Sequence, residues 1–152
     1  DLAIQQKPLL RAYLNEEVRD QVVTGDVLAA QMWAQVAQVA IDNAANLDFA
    51  FPSEAFALYA DNCSILREST HQDLAYEFLN YLLRPQVAAA VADEMRSATC
   101  NAAARELLPE AQRQNVVLYP PAQVLARGEW VRPLPAVVQR RRDRYWTEIE
   151  SS

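Results

Sequence analysis

Glycine is nearly absent from this chain, since only Gly25 and Gly128 occur among 152 residues. Glycine averages about 7% of residues in globular proteins. Loops that cradle phosphate or dinucleotide groups need several closely spaced glycines, so the sequence excludes both kinds of site. Few glycines and many alanines favour helix. We therefore expect a helix-rich fold with few strands.

The charge and hydropathy of the chain exclude two further classes of partner. The chain has 20 acidic and 14 basic side chains, and 51% of its residues are hydrophobic. A nucleic-acid binder needs a basic face, so we expect no nucleic acid as a partner. No apolar run reaches the roughly 18 residues of a membrane span, so we expect no membrane insertion. No signal peptide is visible at Asp1, and we expect a piece of a longer product.

Periodicity and capping signals predict a mostly helical chain. Helices are predicted over 8–23, 27–45, 71–83, 85–95 and 102–108, after Pro121, and from about 135 to 149. The first part of 27–45 could equally be a short buried strand that leads into a helix. Alternation of apolar and polar residues predicts a strand over 47–51, and 56–66 is a second extended run. Asn101 is the predicted cap of the helix that follows it.

The extended run 56–66, FALYADNCSIL, places polar groups within an apolar stretch. Tyr59, Asp61 and Asn62 lie at its centre, and a buried carboxylate without a partner is costly. Either this segment reaches the surface at Asp61, or a positive group meets the carboxylate. Asp61 as a strand-end cap, as a salt-bridge partner and as a ligand anchor all stay open.

Several segments in order carry a resemblance to a known family. They read LDFAFPSEAFALYADNCSIL, AYEFLNYLLRPQVAAAVAD, TCNAAARELL and LYPPAQVLARGEW, followed by a closing amphipathic helix. The series resembles the C-terminal half of the periplasmic spermidine/putrescine-binding proteins, the solute receptors of polyamine ABC importers. The resemblance covers roughly residue 20 to the end of the chain.

The resemblance implies an α/β, helix-rich type 2 periplasmic-binding-protein fold, here only in part. It implies one unit over 1–152, in which 1–60 and 101–152 resemble one lobe and 66–97 resembles part of the other. Hinge-like crossings are implied near 61–65 and 97–101. It also implies a ligand site in which Trp33 and Tyr59 are walls and Asp61 is the anchor. For Trp33, a plain core position on an alanine-rich helix is the alternative.

The same resemblance suggests interpretations of the two cysteines and of one helix face. Cys63 and Cys100 are either two buried free thiols or, as their places on the two crossings imply, one disulfide. The helix over 71–83 lacks its usual neighbours in a chain of this length. Its apolar face of Leu74, Phe78, Leu79 and Leu82 predicts either a rearranged unit or two copies that exchange elements.

The resulting prediction of function is a solute-binding protein, or the C-terminal part of one, without catalytic residues, metal or cofactor. It predicts capture of a small cation such as a polyamine, delivery to an ABC permease, a periplasmic location and a homo-oligomer. The alternative is a shortened descendant that binds no solute and acts as an oligomeric interaction protein. The arginine run at 140–144 is interpreted as a solvated helix face, with an anionic lipid, nucleic acid or partner protein as alternatives.

Overall fold

A computed structural model describes residues 2–151, which form short helices and one pair of strands. The helices are α1 (Leu2–Gln6), α2 (Val18–Thr24), α3 (Ala34–Asn43), α4 (Gln72–Leu82), α5 (Pro85–Glu94), α6 (Ala102–Arg105), α7 (Glu110–Arg113), α8 (Ala122–Leu125) and α9 (Ala136–Ser151). A 3-10 turn covers Lys7–Leu9. The strands are β1 (Phe56–Leu58) and β2 (Gly128–Trp130). The helix-rich prediction is confirmed.

Hydrophobic periodicity and capping residues predicted the helices of the second half of the chain well. Helices α4, α5 and α9 lie where the periodicity predicts them. Pro85 occupies the first turn of α5, a position where its fixed φ suits the helix and its missing amide hydrogen costs nothing. The predicted cap of α6 is confirmed, because the Asn101 side chain accepts a hydrogen bond of 3.1 Å from the Ala104 amide.

The predictions for the first half were partly wrong. The helices predicted over 8–23 and 27–45 are reduced to α2 and α3, and residues 10–17 and 27–33 are largely irregular. The strand predicted over 47–51 does not form, and only the first three residues of the run 56–66 are a strand. Propensity alone overestimates such elements, because most of the stability of a short helix or strand comes from packing against its neighbours.

The strand pair is parallel and short. Phe56 lies opposite Gly128 and Leu58 opposite Trp130, and the Val131 amide continues the ladder to the Leu58 carbonyl at 3.2 Å. Gly128 leaves room for Leu58, because a Cβ there would lie only 2.6 Å from Leu58 Cγ and would force that side chain to move. The pair therefore fixes the backbone immediately before Tyr59.

The best-defined core lies where α5 packs against α6. Ala89, Ala92, Ala104 and Leu108 are its buried residues, and Tyr119 packs against them. The small side chains allow a close approach of the two helices, and the Tyr119 hydroxyl accepts a hydrogen bond of 3.0 Å from the Thr99 amide. A second contact joins α2 to α3. Within residues 2–151, no large side chain is fully buried.

Four helices contribute no buried residue, namely the short α1 and α8 and the longer α4 and α9. On α4 the side chains of Leu74 and Phe78 are 64% and 58% exposed, as the sequence predicted for a helix without its usual neighbours. Helix α5 lies in the segment 66–97 yet packs against α6, which lies in the segment 101–152. The division of the chain into two lobes stays a prediction.

Candidate functional site

Trp33 and Tyr59 come together although they lie on different elements. Trp33 is the residue before α3, with an extended backbone, and Tyr59 follows directly after β1. Their ring centroids are 4.6 Å apart with an interplanar angle of 63°, an edge-to-face contact. Trp33 remains 45% exposed and Tyr59 42% exposed, so neither ring is plain core. Each keeps surface available for another group.

Asp61 lies two residues beyond Tyr59 and is exposed. Burial raises the pKa of the Tyr59 phenol above its usual value of 10.0, and the nearby charge of Asp61 raises it further. The phenol therefore stays neutral at neutral pH, and the carboxylate is close enough to act on it. Between residues 2 and 151, no group forms a hydrogen bond or salt bridge with the Asp61 side chain. The described residues therefore provide Asp61 with neither a capping hydrogen bond nor a salt bridge.

Trp33 and Tyr59 present two half-exposed rings in mutual contact, and the exposed Asp61 carboxylate lies close enough to Tyr59 to act on its phenol. Aromatic faces attract an ammonium group and cover methylene groups, each contact being worth roughly 0.5–2 kcal/mol. A carboxylate without an internal partner can accept charge-assisted hydrogen bonds from that ammonium. The arrangement suits a small organic cation.

Two hollows in the described part of the chain lie elsewhere. One, of about 200 Å³, lies between the end of α3, the end of α5 and α7, and the other, of about 430 Å³, is formed by residues 69–74. Neither includes Trp33, Tyr59 or Asp61. The rings of Trp33 and Tyr59 therefore belong to neither hollow.

Sequence reasoning missed a second polar cluster, which lines the smaller hollow. Arg96 Nε donates to Asp42 at 2.7 Å, Gln38 Nε2 donates to the other Asp42 oxygen at 2.8 Å, and Asn115 Nδ2 donates to Gln38 Oε1 at 2.7 Å. The hydrogen bond from Arg96 is the main reason that the pKa of Asp42 lies below its usual value; burial opposes it and Gln38 assists it. Only the i,i+4 spacing of Gln38 and Asp42 was visible in the sequence.

The cysteines lie at the surface. Cys63 and Cys100 are both free and exposed in the structure, so the interpretation as two buried thiols was wrong. The disulfide between them stays a prediction, which a count of reactive thiols before and after reduction tests.

The described residues show no metal-binding cluster and no membrane-spanning helix. No group of three or more metal-ligating side chains lies together in residues 2–151. In the same stretch, every helix is too short or too polar to cross a bilayer.

Comparison with known proteins identifies the class to which this fold and site belong. Residues 12–116 match the profile of a family described as bacterial extracellular solute-binding protein. The chain belongs to this family. The fold agrees, because the chain superposes on a crystal structure of a spermidine/putrescine ABC transporter substrate-binding protein from Streptococcus pneumoniae with a TM-score of 0.81. That match has 24% identity and covers 98% of this chain and 46% of the other.

Curated relatives narrow the likeness within the family. The chain is 32% identical to the putrescine-binding periplasmic protein PotF of Escherichia coli K12, over 99% of this chain and 42% of that protein. It is 31% identical to the spermidine/putrescine-binding periplasmic protein of Salmonella typhimurium, over 81% of this chain and 35% of that protein. The chain therefore spans less than half the length of the relatives that it matches. The resemblance noted from the sequence is confirmed.

Proposed function

We propose that this chain is the C-terminal part of a solute receptor, or a free-standing relative of one, that captures a small organic cation such as a polyamine. The receptor would act in the periplasm and hand the cation to an ABC importer. One observation carries the proposal: the Asp61 carboxylate forms no hydrogen bond or salt bridge with the described residues and acts on Tyr59, whose half-exposed ring contacts that of Trp33. The proposal includes no catalytic step.

The chemistry of a polyamine matches this face group by group. A terminal ammonium would bind the Asp61 carboxylate, and the adjoining methylene groups would lie against Trp33 and Tyr59. The neutral phenol of Tyr59 adds a hydrogen-bonding group without adding a second negative charge. One carboxylate and two rings suit the end of a linear amine better than a compact inorganic ion, which does not use ring surface.

The relatives support this ligand class. The proteins described above are named for the binding of putrescine or spermidine and as periplasmic, and a further relative from Pseudomonas aeruginosa, 27% identical, is named a putrescine/agmatine-binding protein. All three ligand names denote aliphatic amines. The comparisons give no support to the alternative of an interaction protein that binds no solute.

A fluorescence titration tests the proposal. Trp130 and Trp146 are changed to Phe, so that Trp33 is the remaining tryptophan, and the emission is followed as putrescine or spermidine is added. We expect a saturable change, and we expect Asp61→Asn to weaken the affinity at least about tenfold, because a hydrogen bond to a charged group contributes roughly 1.5–3 kcal/mol.

Asp73→Asn is the matched control, because Asp73 is exposed on α4 and the substitution makes the same change in charge. It should leave the affinity unchanged within about twofold. The proposal is wrong if neither amine changes the emission, or if the two asparagine variants weaken binding equally.

We also propose that the isolated chain self-associates through α4. The exposed side chains of Leu74 and Phe78 lie one helical turn apart on the same side of α4, and such apolar surface favours contact with another molecule. Light scattering should give a mass above 17.1 kDa, and Leu74→Glu should lower it toward the monomer. A monomeric mass, with residues 71–95 protected from hydrogen exchange, would contradict this proposal.

A further inference from the structure

Helix α9 carries a strong positive charge in an otherwise acidic chain. Residues 132–144 contain five arginines and one aspartate, whereas the rest of the chain has nine basic and nineteen acidic side chains. Every arginine of this segment is exposed. Residues 132–144 therefore form a local basic surface that opposes the charge of the whole molecule.

The arginines of α9 have no acidic partner within the described residues. The salt bridges found there involve Arg19, Arg96 and Arg113 and none from α9. The nearest acid on the helix, Asp143, accepts instead a hydrogen bond of 2.8 Å from Gln139 Nε2. Arg141 donates to its own neighbour Tyr145 at 3.1 Å. Arg140 and Arg144 are left with guanidinium groups that contact no anion of residues 2–151.

The contacts of α9 with the N-terminal segment show which side of the helix faces solvent. Trp146 packs edge-to-face on Tyr13 with ring centroids 5.0 Å apart, and Lys7 Nζ donates to the Glu150 carbonyl at 2.9 Å. Arg140 and Arg144 are four residues apart and share a side of the helix. At about 100° per residue, Trp146 lies roughly 200° from Arg144, on the opposite side. The two arginines therefore point away from the N-terminal segment.

We infer that the Arg140–Arg144 side of α9 is a docking surface for an acidic protein partner, separate from the ligand face. Arginine binds carboxylates through two parallel hydrogen bonds, and these guanidinium groups are unpaired and exposed. A lipid surface fits less well, because a helix that lies in a membrane needs a free apolar side. On α9 the large aromatic Trp146 is engaged with Tyr13, and the other large exposed apolar side chains are only Val137, Val138 and Tyr145.

The test uses the intact 152-residue chain and a fluorescein-labelled decaglutamate peptide, followed by anisotropy. We expect saturable binding at about 20 mM salt that is largely lost at about 300 mM, because salt screens exposed charges. Arg140→Gln with Arg144→Gln should weaken binding about tenfold. Arg140→Lys with Arg144→Lys should recover part of that loss, because lysine restores the charge but not the paired hydrogen bonds.

The matched control is Arg11→Gln with Arg67→Gln, which changes the net charge equally at exposed positions outside α9 and should leave the affinity within about twofold. Circular dichroism of each variant verifies that the helix content is unchanged. The inference fails if the peptide does not bind, or if both glutamine pairs weaken binding equally. It also fails if phosphatidylglycerol vesicles bind more tightly than the peptide, or if the arginines instead drive a salt-sensitive dimer without the peptide.

Discussion

Asp42 and Asp61 lie close to the ends of regular elements, but the surroundings of their carboxylates differ. Both oxygens of Asp42 are occupied, one by Arg96 and one by Gln38. No group in residues 2–151 forms a hydrogen bond or salt bridge with the oxygens of Asp61, and its charge acts on the neighbouring phenol of Tyr59. A satisfied carboxylate holds helices together, whereas an unsatisfied carboxylate beside open rings is available to a ligand. We therefore assign Asp42 a structural role and propose a ligand-binding role for Asp61.

We expect Gly128→Ala to have the largest effect on stability, because it disrupts the pairing of β1 with β2 directly before Tyr59. A methyl group at Gly128 would meet Leu58 at 2.6 Å, and overpacking of this kind costs typically about 1–3 kcal/mol. We expect chemical denaturation to show a loss near the upper end of that range. Adding Leu58→Ala should restore part of the stability. If Gly128→Ala alone is neutral, the strand pair does not support the site.

Arg96→Gln should affect stability but not binding. It removes the main partner of the Asp42 carboxylate, whose side chain is 30% exposed, and we expect a loss of about 1–2 kcal/mol in the free energy of unfolding. Asp61→Asn, measured in the same denaturation experiment, should change it by less than about 0.5 kcal/mol. The comparison fails if the two variants are destabilised equally.

Tyr59→Ala should weaken putrescine binding by about 1 kcal/mol, because it removes one of two aromatic faces. Tyr59→Phe retains the ring and should bind within about threefold of the unchanged chain. Calorimetric titration of both variants separates the ring from the hydroxyl group. A larger effect of Tyr59→Phe than of Tyr59→Ala would assign the interaction to the hydroxyl group and not to the ring.

The smallest expected effect is on the pH dependence of stability. Of the two aspartates, we expect it for Asp42. Because Arg96 lowers the pKa of Asp42 in the folded state, the stabilisation is fully present above the ordinary value of 3.8. It is lost as the pH falls through the lower, folded value. Denaturation curves measured at several pH values across this range give the free energy of unfolding as a function of pH, and this dependence should become flatter in Asp42→Asn. A slope that is unchanged by Asp42→Asn would show that other groups cause it.

The sequence predicted the elements whose signals are local. The Pro85 start of α5 and the Asn101 cap of α6 depend on residues at fixed short offsets, so they could be read directly. The contact between Trp33 and Tyr59 was expected only through the resemblance to polyamine receptors. Nothing in the sequence marked the pairing of Asp42 with Arg96, since the two residues are 54 positions apart, one in α3 and the other in the turn after α5.

The most direct test of the account asks where the ligand lies. With the 152-residue chain and putrescine, nuclear Overhauser effects between the methylene protons of the ligand and the aromatic protons of the protein can be measured. We expect contacts to the rings of Trp33 and Tyr59 that disappear in Asp61→Asn. Contacts to residues that line the hollow beside Asp42, with none to those two rings, would contradict the account.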